Sequence, residues 1–532
     1  MNSPMNPTTT EKRKRINISS VALLLVGTTF IGQLLGFLRT KLVNANFPAV
    51  GPHSTDAYFA AFSIPDFFYF TLAAGALGVA FMPMLSDRLQ KGDRKGMWDL
   101  SASLMNLLAI VMTIVGVIMF VFAEPLIKHI VAPGLSPPQL HTAATIMRFL
   151  AFNPLLFTLS GILTSVQQTL GRFFFFAIAP LFYNLSIIVS IFVFKGNVGL
   201  VGLGVGALIG AVLQLIVVAF GLIGTRFHWH PRILWQQSDF RAVLRNLPPR
   251  SLDQGVDQVE EIVEVHIASG LGSGNITYYS NAYVLATAPI LLIGTTIATA
   301  AFPRLNQRLS QNRPDLFRRD FLMVLRAMIW ISAPVVVVCF FCRGYLARMI
   351  YTQGNLQIAM IFGFMIPAIF FRIQYSLISR WFYAQKDTKT PLFVSIFVIG
   401  LNIVLAYTLA RPTAYGVSGL ALAQSIVAFV EVVILSVIML IRDHKLFDNN
   451  FWSGLVRIAS VTGFSLVTCY ILISIYPLGI ADRGVGVLGA KVVLIAGVTF
   501  SVHIAVSSLF GLEEVGPVFA RVRKLVLKPI KL

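Results

Sequence analysis

Charge is scarce in this sequence. Only 12% of its 532 residues are Asp, Glu, Lys or Arg, against roughly 25% in a soluble domain. With 56% hydrophobic residues and a mean hydropathy of +0.78, that scarcity excludes a soluble globular protein and leaves a polytopic membrane protein. The formal net charge of +20 does not imply nucleic acid, because there is no basic domain to bind it. Lys and Arg fall instead in short connections between apolar runs, where they act as topology signals. Cysteine is scarce too, at three residues. Cys339 and Cys342 form a CFFC within an apolar run, and Cys469 stands alone. Without a second ligand pair, these read as small buried apolar side chains rather than a metal or redox site. No Ser/His/Asp set, metal motif or nucleotide-binding glycine loop stands out, and no soluble segment is long enough for an ATPase. The chain is therefore not expected to be an enzyme.

What is present is a succession of apolar runs. A transmembrane helix needs about 20 largely apolar residues. Fourteen candidates are centred near 29, 70, 111, 155, 183, 211, 258, 290, 331, 367, 400, 428, 464 and 498, so the expected fold is all-α. Five connections are rich in Lys and Arg: 84–97, 225–250, 304–319, 384–390 and 442–446. The alternate ones at 124–142, 194–199 and 270–276 are poor in them, and 343–355, with Arg343 and Arg348, is the exception. The alternation predicts an even number of spans with both termini cytoplasmic. Polar residues 1–18 carry Lys12, Arg13, Lys14 and Arg15 and do not read as a cleavable signal. Residues 513–532 form a second basic tail, suited to a topology anchor.

The sequence also echoes itself. DAYFAAFSIP (56–65) leads to AFMPMLSDRL (80–89), and NAYVLATAP (281–289) leads to AFPRLNQRL (301–309). Repeated halves are a feature of transporters, whose substrate site lies between the halves near the bilayer midplane. The expected organisation is a six-helix lobe over 19–224, a second over 225–445, and two further helices over 446–512.

One span does not fit. SLDQGVDQVEEIVEVHIASG (251–270) holds five carboxylates: Asp253, Asp257, Glu260, Glu261 and Glu264. At about 100° per residue they fall within an arc of about 100° on one helix face, with Val256, Val259, Ile262, Val263 and Val265 elsewhere on the circle. That face cannot meet lipid, where a mid-bilayer Asp costs about 2.5–3.5 kcal/mol. Asp253 and Asp257 could sit at the cytoplasmic end beside Arg245 and Arg250. For Glu260, Glu261 and Glu264 a hydrated inner cavity is the better reading. Such clustered carboxylates repel, which suits a cation or proton site. Arg39, Arg372, Arg380 and His266 are candidate partners, and Arg372, inside the tenth span, should face a cavity or a counter-charge.

STDAYFAAFSIPD (54–66), AGALGVAFMPML (74–85), GRFFFFAIAPLFYN (171–184), IYTQGNL (350–356) and RWFYAQKDTKTPL (380–392) occur in this order. Together they resemble the MurJ/MviN family of lipid II flippases, within the multidrug/oligosaccharidyl-lipid/polysaccharide exporter superfamily. LLGFLR (34–39) matches the family's first-helix ending and keeps its arginine as Arg39, and Asp56 matches the aspartate that opens the second helix. The resemblance implies a fourteen-helix, V-shaped transporter in the bacterial inner membrane. It would carry undecaprenyl-linked disaccharide-pentapeptide outward by alternating access, with the lipid tail along helices 13 and 14. Its partners would be that precursor, membrane lipids and cell-wall synthesis proteins. Arg39, Asp56, Asp66, Arg372 and Arg380 would be the substrate-binding candidates. Asp257, Glu260, Glu261 and Glu264 would form an acidic cavity face, with Na⁺, H⁺ or the membrane potential as driving force and no organic cofactor.

This chain departs from the family pattern in the cavity. Gln33 stands where a second first-helix arginine is usual. Tyr69, Phe70 and Ala74 replace an arginine pair and a glutamate, Asp66 replaces an asparagine, and Ala282 replaces another arginine. The acidic face could bind a coupling cation, neutralise relocated arginines, or take cationic amines of the cargo. A flippase for another polyprenyl-linked glycan, a cation-coupled exporter and a transport-dead scaffold are the alternative functions.

Overall fold

The computed structural model describes residues 18–74, 81–351, 354–479, 482 and 484–516. Both basic tails beyond those limits, and the side chains of Arg250 and Asp253, lie outside the described residues. The apolar runs form helices throughout. The first group is α1 (Ile18–Asn46), α2 (Asp56–Phe68), α3 (Met82–Gln90), α4 (Arg94–Val121), the single turn α5 (Ala123–Leu126), α6 (Pro137–Leu150), α7 (Asn153–Thr169), α8 (Phe174–Phe194) and α9 (Val201–Phe220). A second follows as α10 (Ser238–Gly270), α11 (Asn275–Pro289), α12 (Thr296–Ser310), α13 (Pro314–Phe341), α14 (Arg343–Ile350), α15 (Asn355–Ala384), α16 (Lys389–Leu409) and α17 (Ser418–Arg442). Last come α18 (Asn449–Ile475) and α19 (Val485–Leu509). Eleven stretches among the described residues are long and apolar enough to cross a membrane. The expected fourteen is compatible with this, with α1, the stretch that includes α2 and α3, and α10 as the further candidates.

The internal echo extends beyond its motifs. Pro65 precedes a π turn at Tyr69–Ala74, and Pro289 precedes another at Ile290–Thr295. Proline has no amide to give the carbonyl one turn back, and a π turn resets the register where that bond is missing. Helices α4 and α13 are both 28 residues long, each followed by a short helix; α8 and α16 are both 21. Equal lengths at equal places are the mark of a structural repeat rather than of chance apolar similarity.

Within the first group α8 packs on α9 and α1, and α7 on α4 and α9. In the second, α15 is the hub for α11, α13 and α17. Helices α18 and α19 pack on each other and on α13. Cys342 and Cys469 are buried there among Val337, Tyr345, Leu488 and Ile495, as small apolar side chains. A buried ion pair, Arg326 to Glu514 at 2.6 Å, and Trp330 donating to Ser507 at 2.9 Å fasten α19 and the turn after it to α13.

Helix α10 is the bridge. Its first turns bury Phe240 and Val243 against Phe81, Met97 and Trp98 of the first group, and Arg88 reaches Asp239 at 2.7 Å. Further along, Gly255 lies against Thr71, where an added Cβ would stand 3.0 Å from the hydroxyl. Beyond it, α10 packs on α16. Helix α10 thus touches both groups along its length, and near its far end His266 and Ser269 bond Ile130 and Gly134 of the first group.

The five basic connections group at one end. Arg88–Asp239 joins the first two, while Arg318–Asp443 and Arg442–Asp387 join the other three. At the opposite end the exceptional arginines are explained by carbonyls. Arg343 donates to Phe340 O at 2.6 Å and lies over its ring, and Arg348 donates to Gly479 O at 2.7 Å.

Candidate functional site

A cavity of about 630 Å³ lies between α1, α2, α10, α11 and α15. Arg39, Asp66, Asp257, Glu260, Glu261, Glu264 and Arg372 all line it. The acidic face of α10 therefore points inward, as its angular spacing predicts. Tyr58, Tyr69, Phe157 and Tyr183 form much of the facing wall, packed edge to face at ring distances of 5.4 and 5.2 Å for Tyr69–Phe157 and Phe157–Tyr183.

Several of these charges are already committed. Asn402 of α16 donates to Glu260, and to Glu264 at 3.3 Å, while Gln424 of α17 donates to Glu264 at 2.7 Å. Glu260 and Glu264 are 6% and 3% exposed, so amide donors take the place of water. Arg372 pairs with Glu431 of α17 at 3.3 Å, and Ser395 donates to the other oxygen of Glu431 at 3.0 Å. By contrast, Arg39 makes no salt bridge or hydrogen bond among the described residues, although Asp66 lies near enough to feel its charge.

Asp56 is elsewhere. It is 1% exposed and sits at the end opposite the basic connections, against the first turn of α11. One carboxylate oxygen accepts the Gly274 amide; the other accepts the Thr277 amide at 2.8 Å and its hydroxyl at 2.7 Å. A carboxylate placed there is favoured by the unpaired amides of a helix N-terminus. Gly274 has φ +96°, a backbone state that glycine adopts at little cost. Gln139 donates to Ser54 at 2.7 Å and to Ser273 at 3.3 Å, Asn281 to Asn44 at 3.1 Å, and His266 bonds Ile130 O at 2.8 Å. All but the Gln139–Ser54 bond join the two groups, and together they close that end of the cavity. Asp56, expected as a substrate contact, takes part in this seal and is not among the residues lining the cavity.

A sequence model described as Lipid II flippase MurJ matches residues 51–487. The chain belongs to the MurJ family. A probable lipid II flippase MurJ of Borreliella burgdorferi is 24% identical over 460 residues, spanning 85% of this chain and 88% of its own. One from Vibrio cholerae is 26% identical over 441 residues, 78% of this chain and 81% of its own. Among solved structures, a lipid II flippase MurJ in an inward closed conformation superposes with a TM-score of 0.76 at 22% identity, covering 92% of this chain and 98% of the other. An inward-facing multidrug resistance transporter of the MATE family matches at 0.64 and 16% identity, over 83% and 98%. At these identities the structural matches establish the fold alone.

Arg380 and the KDTKTP segment make contacts between helices. Arg380 does not line the cavity; it donates to Thr299 of α12 at 2.7 Å and to its own helix at Ser376. Asp387, in the KDTKTP segment, accepts from the amides of Lys389 and Thr390, both at 3.0 Å, and from Arg442 at 2.7 Å. Burial works against its charge, but the bonds from Thr390 and Arg442 prevail and hold the carboxyl down to about 2. That motif is a clasp between α15, α16 and α17. Sequence reasoning missed Glu431, Asn402 and Gln424. Glu431 had a signal, a lone carboxylate inside an apolar run. The two amides had none, since neutral polar residues are common in membrane helices.

Proposed function

We propose that this protein carries lipid II from the inner to the outer leaflet of the bacterial inner membrane. The observation that carries the reading is the cavity: polar, inside an apolar helix bundle of the MurJ family, and sealed at one end by bonds between two repeated halves. At the basic end the ion pairs lie within each set of connections, and none among the described residues joins α3–α4 to α12–α15. This is the arrangement alternating access requires, with Arg39 as the cation available to a diphosphate. The two packing groups would be the moving lobes, and the tails and basic connections would face the cytoplasm. Depleting the protein in its native cell should lower outer-leaflet lipid II, read with an externally added lipid II-cleaving reagent, and raise the inner pool. Unchanged accessible lipid II would refute the assignment.

A proton or sodium ion is the proposed coupling partner. Glu260 and Glu264 share Asn402, whose own Oδ1 is buried without a hydrogen-bond partner. Two carboxylates and an amide oxygen suit a small hard cation, and two bare charges this close in a buried site are costly. Glu264→Gln should remove the Na⁺ and pH dependence of transport by reconstituted protein. Dependence identical to wild type would exclude the site.

A further inference from the structure

We infer that the cavity recognises a zwitterionic head, its acidic wall taking an ammonium group on the peptide part of the cargo while Arg39 takes the diphosphate. This rests on the lipid II reading and adds what this particular cavity selects. Once the committed groups are set aside, the cavity keeps Arg39 on α1, Asp66 on α2 and Glu261 on α10. Neither the Asp66 nor the Glu261 carboxylate accepts a hydrogen bond among the described residues, and they stand close enough for their charges to act on each other. Tyr279 of α11, 4% exposed, lines the same wall with its hydroxyl turned toward Glu264. Tyr283 and Phe70, 46% and 37% exposed, turn aromatic surface to the same space.

A purely anionic head would meet one open guanidinium and several carboxylates, so it would be held weakly. An ammonium on the same head reverses the balance. It offers three N–H donors to carboxylate and hydroxyl oxygens, and aromatic faces attract it further. Peptidoglycan strands are joined through an amine of their peptides, so the precursor carries such a group. Asp66 and Glu261 also stand on different elements around the seam between the halves. An ammonium between them binds best in this arrangement, so cargo biases the conformational equilibrium through differential affinity.

The test uses the full chain in lipid nanodiscs, with lipid II and lipid II N-acetylated at its peptide amine as probes. Acetylation should weaken binding to the wild type about tenfold, the loss of one charge-assisted contact. In Glu261→Gln, and in Asp66→Asn on the opposite wall, the two probes should bind nearly alike. Equal binding of both probes to the wild type, or an undiminished acetylation penalty in both variants, overturns the inference while leaving the lipid II reading intact. Equal loss of both probes on chelating Mg²⁺ assigns the wall to a bridging metal and also overturns it. Binding of neither probe defeats the lipid II reading, and the inference with it.

Discussion

Replacing Glu431 with alanine is expected to destabilise the folded protein by roughly 3 kcal/mol, the scale of removing one partner from a buried ion pair, and to abolish transport. Glu431 is 1% exposed and lies behind Arg372, which reaches the cavity. The carboxylate has no other counter-cation among the described residues; its second oxygen is satisfied by Ser395. Without it, the Arg372 guanidinium is left partly desolvated and turns toward the next nearest charges, Glu260 and Asp257. That would disturb the Asn402–Gln424 cluster as well. The check is a thermal unfolding midpoint of the purified protein beside a transport assay. The double variant Arg372→Met/Glu431→Met should regain most of the lost stability, because it leaves no lone charge. It should still fail to transport if Arg372 serves the cavity. A wild-type midpoint in Glu431→Ala would show that the pair contributes nothing to the fold.

This pair also shows where the sequence was readable. Hydropathy and basic connections placed the helices, because crossing lipid requires about 20 apolar residues wherever it happens. The acidic face of α10 was legible for a related reason: five carboxylates on one arc cannot face lipid, so their direction follows from solvation alone. Which of them remain open was not legible. Glu260 and Glu264 are closed off by Asn402 and Gln424, residues 138 to 160 positions later in the chain, and nothing local announces such a meeting. The surroundings of Asp56 and Arg380 were hidden by the same limit. A family motif fixes which residue stands at a helix end, but not whether that end lies against the cavity or against another helix. Nor does anything local announce that the first turns of α10 join the first group's core through Phe240 and Val243.

Removing the Asp56 carboxylate should open the sealed end. Asp56→Ala deletes three hydrogen bonds and leaves the Gly274 and Thr277 amides without their partner. Charge-assisted bonds of this kind contribute about 1.5–3 kcal/mol each in favourable cases, and here they form between two halves that must separate during transport. Their loss therefore acts on the conformational equilibrium rather than on either half alone. A shift of about 1.5–3 kcal/mol changes the closed-to-open ratio roughly 10- to 100-fold. The readout is a cysteine at Ser280, which lines the cavity close to the seal, in a background with Cys339, Cys342 and Cys469 replaced by alanine. Labelling by a membrane-impermeant maleimide added outside should be at least about tenfold faster in Asp56→Ala. Thr277→Val, which removes one hydroxyl but keeps both amide bonds, should produce a smaller increase in the same direction. If the two rates match that of the unaltered seal, Asp56 does not hold the outer end shut, and its burial against α11 is structural support for the α11 N-terminus alone.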